Sequence, residues 1–398
     1  MLNEIKFYVR GGLQTLIALG LGGTLLQTFL IENGFAEENV TVLLSVLQVI
    51  QIATIFFFSA IADKLKGYKN MMAIAGFAII PLNLYFILLS FSPGNTGGVF
   101  WFLALGAIYN IYLGVNNILS YKLPYTIMDM SRYGIYNSVS GIVSGVLGLG
   151  AAALISFLQA RFDFFAIMRV FYIVTVIFTL LMTAATFSLK ESTEKLELGG
   201  GEVKKSNVLK YKPFLVLIIP NVLRGFCTGI IDMITAIGYF IGRLDKESAA
   251  ILMTVVSLTA IVASLVYSLI ARKIREKYIL LGSSILVVVF MALMILIKGT
   301  AAFITFYALA YFFIYLVSIS VPVSIARTIH YDIIGQYSGG RMLLHTLGIT
   351  IAGFVCIPMI KLLGAELSLI ISGCMQLISG FCYYLFLNNY EKINNVKI

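Results

Sequence analysis

Short polar turns cut this chain of 398 residues into runs of roughly 20 mostly apolar residues, and that repeat leaves few folds open. A run of that length crosses a bilayer as an α-helix, the form in which a spanning segment satisfies its own backbone hydrogen bonds. Twelve helices are predicted: 8–31, 40–62, 70–91, 99–121, 132–158 and 167–189, then 213–242, 248–271, 278–297, 301–326, 338–361 and 365–388. Between the sixth and seventh, residues 190–212 carry Lys, Glu, Ser and the triplet Gly199 to Gly201, a flexible polar linker. The expected fold is an all-α membrane protein of twelve transmembrane helices in two pseudo-symmetric six-helix bundles, 1–189 and 213–398, joined by a cytoplasmic linker at 190–212.

Composition agrees with lipid as the solvent. The chain is 60% hydrophobic and 12% charged, whereas a soluble surface needs about 25% charged residues. A net charge of +10 would suggest nucleic acid in a soluble protein, but these basic residues sit in short loops between apolar runs, so no nucleic-acid partner is expected. Cys227, Cys356, Cys374 and Cys382 all fall inside apolar segments without metal spacing, and imply neither disulfides nor zinc. The first apolar run is long enough to span and has no signal-peptide cleavage pattern, so it is expected to stay as helix 1. Lys and Arg number 21 on the side of the termini and 6 on the other, with Arg224 left inside a run. The positive-inside rule then predicts a multi-pass protein of the cell membrane with both termini cytoplasmic.

The halves also repeat each other. Ala62 to Lys69 lines up with Ala271 to Tyr278, basic on basic and Leu65 on Ile274; Arg10-Gly11 matches Arg224-Gly225, and Pro124 with Ile127 matches Pro322 with Ile325. In the first of these turns, Asp63, Lys64, Gly67 and Lys69 are spaced in a way that resembles the signature loop of the major facilitator superfamily. Ser59 stands where that loop has its first Gly, Lys66 is an extra residue, and in the second copy Arg272 replaces the acid and Glu276 the Gly. The resemblance covers essentially the whole chain. It implies helices 3, 6, 9 and 12 on the outside, the other eight around a central path, and Asp63, Lys64, Gly67, Lys69, Arg272 and Lys273 as gating residues between inward-facing and outward-facing states. Gly141, Gly145, Gly148 and Gly150 of helix 5 resemble the glycine-rich fifth helix of drug/proton antiporters, but Val146 and Leu149 break that pattern, and close packing explains them.

In lipid a polar side chain must face protein or a water-filled cavity, and the polar residues concentrate in helices 1, 2, 4, 5, 7 and 11. Helix 4 aligns Tyr109, Tyr112, Asn116 and Ser120 on one stripe, and helix 10 aligns Tyr307, Tyr311, Tyr315 and Ser318. With Gln14, Gln48, Asn110 and His345, the residues Tyr112, Asn116, Tyr311 and Tyr315 are the candidate substrate contacts; such groups also glue helices together, so the expectation rests on the stripes as wholes. Asp232 is the one carboxylate placed well inside a run. It either meets a partner on another helix, His345 among the choices, or takes up a proton, and it is the candidate ion-coupling residue.

These readings converge on a secondary active transporter that moves a small solute by alternating access, coupled to a proton or sodium ion. Alternatives are a drug or metabolite efflux antiporter, a lipid flippase and a transporter-like sensor. The chain contains no Gly-x4-Gly-Lys-Ser/Thr loop for ATP, and its two His have no metal spacing, so no cofactor, metal or enzymatic activity is expected. Its expected partners are the small-molecule substrate and the lipid bilayer, and it is expected to be a monomer.

Overall fold

The computed structural model describes residues 2–62, 67–94, 98–127, 133–159, 161–191, 216–271, 273–328 and 334–394. Among the described residues there is no strand. Eleven helical stretches are long and apolar enough to cross a membrane, and a bent pair, Ile218–Asp232 with Ile234–Phe240, makes a twelfth span. The spans follow the expected order, with Asp63, Lys64, Arg272 and most of the 190–212 linker lying outside the described residues.

Two spans break where continuous helices are expected, and a third, span 3, carries one 3-10 turn, Phe77–Ile79, ahead of Pro81. Span 1 consists of Leu2–Leu21 and Gly23–Glu32. It breaks at Gly22-Gly23, where Gly23 takes φ 59°, a left-handed conformation that glycine adopts without Cβ strain. Span 7, expected as one helix over 213–242, bends by 55° after Asp232. No proline or glycine occupies that break.

Apolar side chains sort by position. Phe56, Phe57, Leu88, Phe100, Trp101, Ile177, Leu269 and others remain exposed on the outside of the bundle, the surface that lipid covers. Inside lie two large cores. One joins Ile17, Phe29, Phe86, Phe102 and Tyr172 of the first six spans, and the other joins Ile230, Leu252, Met291, Phe303 and Cys356 of the last six. Phe29 and Tyr172 pack edge to face at 5.3 Å, a favourable aromatic geometry.

The halves meet along two seams, span 2 (Glu37–Ala62) against span 11 (Ile334–Leu363) and span 5 (Tyr133–Gln159) against span 8 (Lys246–Ile270). The second seam uses the glycines of span 5. A Cβ on Gly145 would meet the Ile261 side chain and come within 3.1 Å of its backbone nitrogen, a close approach that favours glycine. Asn3 and Lys6 bond to residues 190 and 188, and Arg275 reaches Glu391, which places both termini at the same end of the bundle, hereafter the terminal end.

Candidate functional site

The broken spans face each other at mid-depth and open a cavity of about 480 Å³ between the halves. Its polar lining comes from Thr15, Thr24 and Gln27 of span 1, Gln48 and Gln51 of span 2, Tyr109 and Asn110 of span 4, Asp232 of span 7, and Tyr307 and Tyr311 of span 10. Asp232 is the last residue of its half-helix. Its side chain is exposed to the cavity and makes no hydrogen bond or ion pair among the described residues. Among the described residues, no arginine, lysine or histidine lines the cavity. The Gln48 Oε1 is buried without a hydrogen-bond partner among the described residues, an acceptor left open at the wall.

A second cavity of about 330 Å³ lies toward the terminal end, lined by Ser120, Ser140, Ser144, Tyr315 and Ser318 together with Phe7, Pro124 and Pro322. The rings of Tyr307, Tyr311 and Tyr315 form a ladder along span 10, with centroid spacings of 5.9 and 6.1 Å. Tyr311 belongs to the wall of the first cavity and Tyr315 to that of the second.

The far end is closed across its centre by spans 1 and 7. The Gln27 amide donates from Nε2 to the Asp232 carbonyl at 2.6 Å and accepts the Ala236 N–H on Oε1 at 3.1 Å. Beside it the Thr235 hydroxyl donates to that of Thr24 at 3.0 Å. Further out, Lys361 of span 11 pairs with Glu38 of span 2 at 2.6 Å, both about half exposed, and such a pair is worth ~0–1 kcal/mol.

The expected substrate contacts divide. Gln48, Asn110 and Tyr311 line the central cavity and Tyr315 the second, whereas Gln14 is half-buried and lines neither. Tyr112 turns away toward Met182 of span 6, and Tyr109 takes the place at the wall. Asn116 accepts a 2.6 Å bond from the buried Arg10 guanidinium, tying span 1 to span 4. Arg224 makes the matching bond in the second half, to Ser318 of span 10 at 3.1 Å. His345 is buried with its backbone against Gly225. That level is seven residues, about 10 Å, along span 7 from Asp232, so the two are not partners.

Of the signature turn, Gly67 takes φ 74° and leads into Tyr68–Gly76. The Lys69 N–H donates to Glu191 at 2.7 Å, and its ammonium donates to the carbonyls of Phe187 and Leu189 at the end of span 6. Lys273 is exposed, and the counterpart contact falls to Lys277, which bonds Glu391 at 2.6 Å in the last turn of span 12. These bonds stay within one half each. Glu191 and Glu391 were not singled out from the sequence because a lone acid past an apolar run carries no spacing signal. Gln27 could have been: it follows the Gly22-Gly23 break and faces the same depth as Asp232.

Twelve spans in two repeated halves around a polar cavity at mid-depth define the architecture of secondary transporters built from repeats. The sequence model of the Major Facilitator Superfamily matches residues 11–353, most of the chain, and the chain belongs to that superfamily. Among solved structures, the human organic anion transporter MFSD10 (TETRAN) is 15% identical with a TM-score of 0.67, covering 96% of this chain and 99% of its own. A variant of the nucleoside transporter NupG is 13% identical with a TM-score of 0.65 over 96% and 99%. A D-xylose-proton symporter is 15% identical with a TM-score of 0.69 over 95% of each chain. At these identities the likeness concerns the fold alone. No curated protein matches the chain by sequence.

Proposed function

We propose that this chain is an ion-coupled secondary transporter whose two halves, 1–189 and 213–398, rock about the central cavity with the cytoplasmic 190–212 segment between them. The observation that carries the reading is Asp232, a carboxylate without a hydrogen bond or ion pair among the described residues, at a helix break, facing a largely apolar cavity whose other polar groups are amides, hydroxyls and phenols. A carboxylate inside a membrane span is costly without a counter-charge, and a proton or a sodium ion is the partner assigned to it here. The polar part of the lining favours a neutral or cationic solute with hydroxyl or amide groups, since no basic side chain among the described residues lines the cavity to hold an anion. At about 480 Å³ the cavity falls within the size range of small-molecule sites, about 300–1,000 Å³. Among structures of the same fold, the D-xylose-proton symporter and the nucleoside transporter are named for neutral solutes and MFSD10 for organic anions, so the reading rests on the cavity lining and not on these neighbours.

With the termini cytoplasmic, the conformation is one closed to the outside by the span 1–span 7 contacts. The hydroxyl-lined second cavity and the tyrosine ladder lead inward from the centre. Lys69 and Lys277 stiffen each half at the terminal end, so that the halves move as rigid bodies and the signature turn acts on switching instead of solute choice.

The test is uptake by purified protein in liposomes against a panel of labelled sugars, nucleosides and organic amines and acids, with and without imposed proton and sodium gradients. Gradient-driven accumulation of a neutral or cationic member supports the proposal. Accumulation confined to organic acids contradicts it.

A further inference from the structure

In a continuous helix the Ala236 N–H would donate to the carbonyl four residues back, that of Asp232. In span 7 those two groups are the ones occupied by the Gln27 amide, which arrives from the other half of the molecule. A side chain inserted into the backbone ladder is one of the few known causes of a sharp bend, and the bend here is 55° without a proline or glycine at the break. Gln27 is itself 1% exposed, and Thr24, one turn before it, bonds Thr235 within the same bend.

We propose that Gln27 is a positioning residue that bends span 7 from across the interface and thereby holds the Asp232 carboxylate at an open helix end facing the cavity. The bend is then conditional. When the halves part at the far end, the amide leaves, Ala236 N–H bonds the Asp232 carbonyl directly, and span 7 straightens. Buried backbone groups left without a partner are costly, so re-formation of the ladder is the favourable outcome. Straightening returns residues 232–236 to continuous helix and changes the setting of the carboxylate. Access to the cavity and the environment of Asp232 are thus linked through one hydrogen-bonded exchange. This rests on the proposed role of Asp232 only for its consequence in coupling; the geometry stands apart from which solute is carried.

The test measures the bend directly, by the distance between spin labels at positions 219 and 241 of span 7 in liposomes without solute. With 1.5 Å per residue, straightening a 55° bend between arms of 13 and 9 residues lengthens that distance by about 3 to 4 Å. Gln27→Leu is expected to give this increase, as is Gln27→Met, which keeps the side-chain length and serves if the Leu variant does not fold. Adding Ala236→Pro removes the N–H that would re-form the ladder, and the double variant is expected to return to the parent distance. Parent-like distances in the Gln27 single variants would show a bend intrinsic to span 7 and overturn the proposal, as would a double variant that stays long. Neither result depends on transport, so failure here is distinguishable from failure of the transporter reading.

Discussion

Single side chains of this cavity were partly legible in the sequence. Intramembrane polar residues are rare enough to stand out, as Gln48, Asn110 and Asp232 do, and these line it together with Tyr311 of the helix 10 stripe. Helical stripes fix which residues share a face but not which neighbour that face meets, so Tyr112 and Asn116 fell on the chosen stripe and yet serve packing against span 6 and the Arg10 guanidinium. Losing one solute hydrogen bond costs about 0.5–1.5 kcal/mol, a factor of roughly 2 to 10. Tyr311→Phe and Gln48→Leu are therefore each expected to raise KM by that factor for a solute found in the panel, whereas Tyr112→Phe leaves it unchanged. Concentration dependence of initial uptake in liposomes checks this, and an unchanged KM in both cavity variants would remove those residues from the site. Asn116→Ala leaves the Arg10 guanidinium short of its neutral partner inside the membrane, and lowers thermal stability in detergent more than it changes KM.

Elements differ in how far sequence fixes them. Each span was foreseen because its apolar length matches the bilayer, and the break of span 1 could be read from Gly22-Gly23. The break of span 7 could not, because its cause is a glutamine 205 positions away in sequence. The ends of the elements carry their own test. Lys277 and Glu391 pair at 2.6 Å with side chains 5% and 8% exposed. Removing one member of a buried pair costs about 3–5 kcal/mol, whereas replacing both with apolar groups is often neutral. Glu391→Ala is expected to lower the unfolding temperature markedly, and Lys277→Met with Glu391→Leu to recover most of it in the same melting assay. Equal losses in the single and double variants would place the stabilisation elsewhere. Gly145→Leu puts a bulky side chain where span 5 lies against the Ile261 backbone and side chain of span 8, and is expected to abolish transport while leaving each half's own core intact.

For the molecule as a whole, the strength of the contacts sorts them by role. The buried Lys277–Glu391 pair stays within one half, while the Glu38–Lys361 pair that joins the halves at the far end is half exposed and weak. The far-end ion pair can therefore part at little cost when the halves separate there, while the second half keeps its buried pair. Topology follows from 21 basic residues against 6: single cysteines at positions 95 and 245 are expected to label from outside, and at 66, 200 and 275 from inside. External labelling at 200 would invert the orientation. The measurement that bears most directly on the central claim compares Asp232→Asn with the parent in liposomes, in two modes, for a solute that the parent accumulates. Asn keeps the size and polarity of the side chain but can carry neither the charge nor the exchangeable proton. The account predicts that accumulation against a gradient is lost while exchange of solute for solute persists, since exchange needs no net ion movement. An Asn variant that still concentrates the solute uphill would contradict it.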